Sequence, residues 1–219
     1  MYDERYYKRH QAGSYQSALQ ILRFVHSITH FQTMVDYGCG IGTWGNAARS
    51  LGTKEYLGID QHAFDAGYML ISESEYLQGN LQHPIRLRSS YDLAVCVEVA
   101  EHISKDFADA LVDNVCQNSE VVLFSAALTY QGGTGHINEQ PCTYWIEKFR
   151  SKGYMPVDCI RPAFWDNEQI EIWYRNNCIL YMTCVAFDRY HKNIPVVSLP
   201  ADIIHPKMLE RILYKRGLK

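Results

Sequence analysis

The run YDLAVCVE at 91–98 is apolar without interruption through its centre, so a strand formed there must be covered on both faces. That requirement argues for a sheet layered between helices. EVVLFSA (120–126) has the same character. MVDYG (34–38), EYLGID (55–60) and, more weakly, EYLQGN (75–80) read as further strands, and two more are expected near Tyr154–Ile160 and Cys178–Phe187. Helical segments fall between them. One is expected from about Thr43 to Leu51, another over KDFADALVDNVCQN (105–118), and a third from Thr143 to Lys152, closing at Gly153. Ahead of them, SYQSALQILRFVHSITH (14–30) sets Leu19, Leu22, Phe24, Val25 and Ile28 at mainly helical spacing, with Ser14 as the expected N-cap. Strands alternating with helices imply an α/β fold with an open, mostly parallel sheet.

At 219 residues the chain suffices for one well-buried domain and is short for two. It divides into an N-terminal helical cap (1–30), an α/β core (31–187) and a C-terminal extension (188–219). Net charge is −3 and no long lysine or arginine run occurs, which disfavours a large nucleic-acid footprint. Seven cysteines, an odd number without a CxxC pair, read as buried reduced thiols rather than a disulfide framework or zinc site. The opening MYDERYYKRH is unlike a signal peptide and no apolar run approaches a membrane span, so the cytoplasm is the simplest compartment.

Open α/β sheets bind ligands beyond the carboxyl ends of their strands, near the switch in strand order. The expected tips are Gly38–Gly42, Asp60, Gly79–Leu81, Glu98–His102 and the glycine-rich run TYQGGTGHINEQP. Gly40 to Gly45 spell G-x-G-x-x-G, the dinucleotide fingerprint, but the first strand is expected to end at Tyr37. The register is therefore D-x-G-x-G-x-G from Asp36, out of phase with a dinucleotide loop. Glycines at 38, 40 and 42 permit positive φ and leave no side chain between backbone and ligand. A carboxylate at Asp36 is unhelpful beside a pyrophosphate and compatible with an amino-acid-bearing cofactor.

VDYGCGIGTW (35–44), YLGID (56–60), LQGNL (77–81) and YDLAVCVEVAEHI (91–103) together resemble the class I S-adenosylmethionine-dependent methyltransferases, in that family's order and spacing. HQAGSYQSA, FSAALTYQGGTGHINEQP and IIHPKMLE further resemble a group of small bacterial methyltransferases associated with surface glycans and sugars. The resemblance implies a Rossmann-like, seven-stranded, mostly parallel sheet flanked by helices, with an N-terminal helical lid. It implies S-adenosyl-L-methionine as cofactor. Gly38, Gly40 and Gly42 would wrap its methionine and ribose, with Asp36 beneath them. Asp60 would bind both ribose hydroxyls, Asn80 and Leu81 would lie by the adenine, and Glu98 would stand at the rim between cofactor and substrate. An acid is usual where Asn80 stands here.

Methyl transfer from a sulfonium needs an aligned nucleophile, a proton acceptor and exclusion of water. His136, next to Gly132, Gly133 and Gly135 after the fifth strand, is the expected general base, with a loop-ordering role as the alternative; Asn138 and Glu139 can orient it or bind substrate hydroxyls. If a helix starts after Glu98, then Glu98, Glu101 and His102 share one face, and with His136 they can hold a divalent metal. Some methyltransferases with an E-x-x-E-H segment use such a site, but many bind no metal and use the same residues as polar supports, and the metal-free reading is the one favoured here. Phe164, Trp165, Trp173 and Tyr174 form an aromatic segment, and Arg161 and Arg175 are candidates for an anionic substrate group. Tyr6, Tyr7, His10 and Tyr15 either cover the cofactor or dock the first helix. The sequence reading is an O-methyltransferase of a sugar, glycan or other small hydroxylated metabolite. Metal-assisted RNA 2′-O-methylation and N-methylation of a small amine are its alternatives.

Overall fold

The computed structural model describes residues 4–63, 67–195 and 200–218, with side chains from residue 12 onward. Seven strands form one sheet: β1 (Thr33–Tyr37), β2 (Glu55–Asp60), β3 (Tyr76–Gln78), β4 (Leu93–Val97), β5 (Val121–Ser125), β6 (Tyr154–Val157) and β7 (Ile179–Thr183). Their order across the sheet is β3-β2-β1-β4-β5-β7-β6, and only β7 runs against its neighbours. Strand order reverses between β1 and β4, which opens a crevice beyond their carboxyl ends. The helices are α1 (Glu4–Thr29), α2 (Thr43–Ser50), α3 (Ala108–Cys116), α4 (Cys142–Ser151), α5 (Ile160–Phe164), α6 (Ile172–Asn177), α7 (Cys184–Tyr190) and α8 (Pro206–Lys215). No described helix is long and apolar enough to cross a membrane.

The unbroken apolar strands are divided between two cores by the two-residue period of β structure. Leu93, Val95 and Val97 of β4, with Val121 and Leu123 of β5, face α1, α2 and the 157–174 segment. Ala94 and Cys96, with Val122 and Phe124, face α3 and α4, where the Phe149 and Tyr181 rings stack 4.0 Å apart. Each large side chain buried this way stabilises the fold by about 1.5–3 kcal/mol.

Three boundaries depart from the sequence reading. The first helix begins at Glu4, so Ser14 lies inside it and does not cap it; its hydroxyl accepts from Tyr174 Oη at 3.4 Å. The helix buries Ala18, Ile21, Leu22, Val25 and Ile28, while Leu19 and Phe24 flank that stripe. The seventh strand stops at Thr183, whose hydroxyl accepts the Ala186 amide at 3.2 Å and starts α7, so residues 184–187 are helical despite their apolar, strand-like composition. No α-helix follows Glu98; a single 3-10 turn spans Ala100–His102.

Residues 200–218 are tied to the body of the chain. Buried Arg161 grips Asp158 with two bonds (2.9 and 2.7 Å) and donates to the Ala201 and Pro200 carbonyls at 2.9 and 3.3 Å. Its donors are thus engaged in structure, which corrects the expectation of an anion-binding role. Asp202 accepts from the Thr143 amide and hydroxyl at the start of α4, both at 2.9 Å. His205, 5% exposed, caps α8 through Nδ1 and shares the Trp165 carbonyl with Arg175.

Candidate active site

Beyond β1 the backbone turns through Gly38, Gly40 and Gly42 with φ of 84°, 54° and 86°. A Cβ at Gly38 would lie 2.4 Å from Val99, and one at Gly42 2.6 Å from Ile71, so side chains are excluded by space as well as conformation. Gly45 serves packing: its missing Cβ makes room for the Tyr56 ring. Asp60 at the end of β2 anchors the loop, accepting the Gly40 amide at 3.0 Å through one oxygen and the His62 amide and ring nitrogen at 3.0 Å through the other. A carboxylate offers about four lone-pair sites, so acceptor capacity remains.

Asp36 is 2% exposed and accepts from the Tyr56 hydroxyl at 3.1 Å. Burial raises its pKa to about 7, against the lowering effect of the Tyr56 bond and with a further upward push from the Asp60 charge. The folded protein therefore binds a proton at Asp36 that the unfolded chain has released between about pH 4 and 7, so rising pH costs stability there. At 1.36 kcal/mol per unit the full effect is at most about 4 kcal/mol. Urea denaturation of the ligand-free protein should show stability falling from pH 4 to pH 8 more steeply in the wild type than in Asp36→Asn. Parallel pH curves would remove buried Asp36 as a cause.

Asn80 is exposed and its side-chain oxygen accepts the Gln82 amide at 3.0 Å, while Leu81 is buried among core residues. Both stand past the end of β3, on the β2 side of the crevice.

Glu98, the residue after β4, has φ of 54°, a left-handed conformation that costs a non-glycine residue roughly 1–2 kcal/mol. Its carboxylate is turned back onto three partners: Ser125 Oγ at 2.8 Å, Asn177 Nδ2 at 3.1 Å and Gln131 Nε2 at 3.5 Å. Burial raises its pKa although these bonds pull it down. Ser125, Gln131 and Asn177 escaped sequence reasoning. Ser125 ends a strand and was findable by position; Asn177 sits before β7 with no local signal.

Glu101 is 1% exposed, and neither carboxylate oxygen has a hydrogen-bond partner of full geometry, although the Glu101 and Ala127 backbone and the Glu98 carboxyl lie close enough to act on it. Burial, then the neighbouring Glu98 charge, pushes its pKa well above the usual carboxylate range. His136 Nε2 lies 3.9 Å from Glu101 Oε1, and His136 Nδ1 lies 2.8 Å from Glu139 Oε1. Glu139 also accepts the Gly132 amide at 2.6 Å, so the carboxylate that orients the imidazole is itself fixed to the loop. The amides of Ile137 and Asn138 donate to the Glu101 carbonyl at 2.9 and 3.1 Å and pin the glycine-rich loop over the turn. His102 Nδ1 contacts the Gly135 carbonyl at 3.1 Å, and its ring meets His136 edge-on at 4.9 Å. Burial lowers the His102 pKa. A Cβ on Gly133 would fall 2.2 Å from His136 Nε2, so glycine there lets the backbone pass over the ring.

One nitrogen or oxygen each from Glu101, His102 and His136 lie within 4.8 Å of one another. A buried carboxylate with two orphaned oxygens beside two imidazoles is a donor set suited to a divalent cation, and Glu139 behind His136 supplies the carboxylate commonly found on a ligating imidazole. The expected set of four ligands is thus corrected: without a helix after Glu98, its carboxylate turns to Ser125, Asn177 and Gln131, and the candidate ligands are Glu101, His102 and His136.

The remaining expectations divide. Glu139 orients His136, whereas Asn138 is buried and its oxygen accepts from Gln140 at 2.9 Å. Arg175, 5% exposed, donates to the Trp165 carbonyl at 3.2 Å. Trp173 and Phe164 pack against the core, and Tyr174 meets Trp44 edge-on at 5.5 Å, behind the glycine loop. Tyr15 bonds Ser50 at 3.0 Å and docks α1 on α2. The side chains of Tyr6, Tyr7 and His10 lie outside the described residues.

No family model and no curated protein matches this chain. Solved structures do. The methyltransferase domain of bacterial CtHen1-C aligns with 77% of this chain and 97% of its own, at 17% identity and a TM-score of 0.55. Magnesium protoporphyrin IX methyltransferase from Synechocystis PCC 6803, with bound S-adenosylmethionine, aligns over 80% and 79% at 14% identity and a TM-score of 0.56. An S-adenosylmethionine-dependent methyltransferase from Clostridium acetobutylicum aligns over 77% and 91% at 11% identity and a TM-score of 0.55. With its strand order and its single reversed strand, this chain has the class I S-adenosylmethionine-dependent methyltransferase fold.

Proposed function

We propose that the protein is an S-adenosylmethionine-dependent methyltransferase acting on a hydroxyl of a sugar, glycan or other small hydroxylated metabolite. The observation that carries the reading is the joining of two half-sites at one sheet edge. A side-chain-free loop bound to Asp60 stands beyond β1 and β2, and an oriented imidazole stands beyond β4 and β5. Gly38, Gly40 and Gly42 approach the amino-acid and ribose parts of the cofactor, and Asp36 lies beneath them. Asp60 accepts the ribose hydroxyls, while Asn80 and Leu81 border the adenine. Glu98 stands between cofactor and acceptor.

His136 takes the acceptor proton at Nε2. Glu139 holds Nδ1–H, which fixes the tautomer and stabilises the imidazolium that forms. His102 packs against the imidazole and the Gly133 backbone passes over it, limiting water. S-adenosylmethionine, when bound, would supply an already activated methyl group to that oxygen and be left as a neutral thioether.

The orphaned Glu101 oxygens favour a second reading of the same centre, with Glu101, His102 and His136 holding a divalent cation. Such an ion would lower the pKa of a bound acceptor hydroxyl. The two readings share the cofactor and differ in whether chelation stops turnover.

Calorimetry with S-adenosylhomocysteine tests the cofactor. Binding is expected, and Asp60→Ala should weaken it at least tenfold, because each charge-assisted bond to a ribose hydroxyl is worth roughly 1.5–3 kcal/mol. Uptake of a nicotinamide dinucleotide in place of the homocysteine product would end this proposal.

A further inference from the structure

The C-terminal segment carries charge out of proportion to its length. Residues 206–219 hold five of the chain's 21 lysines and arginines and one of its 24 acids; the other 205 residues hold 23 acids against 16 cations. Lys207 pairs with Glu168, whereas Arg211, Lys215 and Arg216 enter none of the ion pairs found among the described residues. Their placement gives this charge a target. Met208 and Ile212 seat α8 on Leu128, against Ile172 and Trp173, at the base of the glycine-rich loop. Lys215 Nζ donates to the carbonyls of Gln131 (3.2 Å) and Gly132 (2.6 Å). These are the residues whose side chain and amide hold Glu98 and Glu139. Arg211 lies over the Trp173 ring at 5.1 Å, and Arg216 over the Tyr130 ring at 4.3 Å. Tyr130 is 62% exposed and Ile137, on the other side of the same loop, is 68% exposed.

An arginine laid on an aromatic face is held in place while its edge N–H groups stay available, the geometry that suits a phosphate oxygen pair. Cations clustered on an otherwise acid-rich protein also draw anions to that rim. Resting on the methyltransferase reading above, we infer that Arg211 and Arg216, together with Lys215, bind a phosphate or diphosphate group of the methyl acceptor. The acceptor is then a small phosphorylated polyhydroxyl compound. Three cations match one such group. A nucleic acid would call for on the order of 6–10 phosphate contacts, more than this rim supplies.

Titration with inorganic pyrophosphate, followed by calorimetry in a chelating buffer, tests the site apart from catalysis and from any cation at Glu101. The wild type should bind, and the double variant Arg211→Gln/Arg216→Gln should bind at least tenfold more weakly with unchanged affinity for S-adenosylhomocysteine. Glucose 1-phosphate should displace pyrophosphate and glucose should not. Failure of the wild type to bind, or equal binding by the double variant, overturns the phosphate site. Displacement by a 5′-phosphorylated RNA oligonucleotide at tenfold lower concentration than glucose 1-phosphate overturns the small acceptor. A wild type that takes up pyrophosphate but no S-adenosylhomocysteine would count against the methyltransferase reading alone.

Discussion

Replacing His136 by alanine should lower turnover on an accepted substrate by two to four orders of magnitude, the usual contribution of a positioned general base, and leave S-adenosylhomocysteine affinity within about twofold. The separation follows from where the ring is tied. Its Nδ1 contacts Glu139 and its flank meets His102, while the glycine bend proposed to hold the cofactor is anchored independently by Asp60. Loss of the imidazole therefore removes the proton acceptor without disturbing the glycine bend. Glu139→Gln gives a companion result. It keeps a hydrogen-bonding group beside Nδ1 but removes the charge that stabilises the imidazolium, so turnover should fall at constant cofactor affinity. Near-normal turnover in His136→Ala would remove this residue from the mechanism.

The second large effect concerns Glu101. Burial, then the neighbouring Glu98 charge, pushes the pKa of a carboxyl exposed to only 1% well above the usual carboxylate range in the ligand-free protein. Deprotonation there requires a compensating positive charge, which a divalent cation would provide. At a Mn²⁺ concentration a hundred times its dissociation constant, linkage stabilises the fold by about 2.7 kcal/mol. For a chain of this size that is a rise of roughly 5–10 °C in Tm. Glu101→Gln, which preserves shape and burial, should abolish that rise while leaving the metal-free Tm unchanged or higher. An equal shift in both proteins, or none in the wild type at millimolar Mn²⁺, would reject the cation and leave His136 as an unassisted base.

The sheet strands were legible because burial on both faces writes itself locally: β2 runs from Glu55 to Asp60 as its apolar pattern implies, and α2 starts at Thr43 behind the glycine bend. Strand-tip residues Asp60, Glu98 and His136 were legible for a related reason, since a parallel sheet delivers every carboxyl end to one edge. Less was legible where a single residue changes the outcome. Thr183 caps α7 and cuts β7 short, and the left-handed Glu98 replaces an expected helix by one 3-10 turn.

By itself the sequence determined the layering of the fold, the phase of the glycine bend and which chemical groups stand at the strand tips, because these depend on periodicity and on neighbours in the chain. Tertiary structure alone decided their alliances. Glu98 faces Asn177, 79 residues away, Arg161 is consumed in holding the tail, and Lys215 reaches across 83 residues to the loop beside His136. Such contacts follow from how helices dock on the sheet, and docking is set by the summed burial of many side chains rather than by any local pattern.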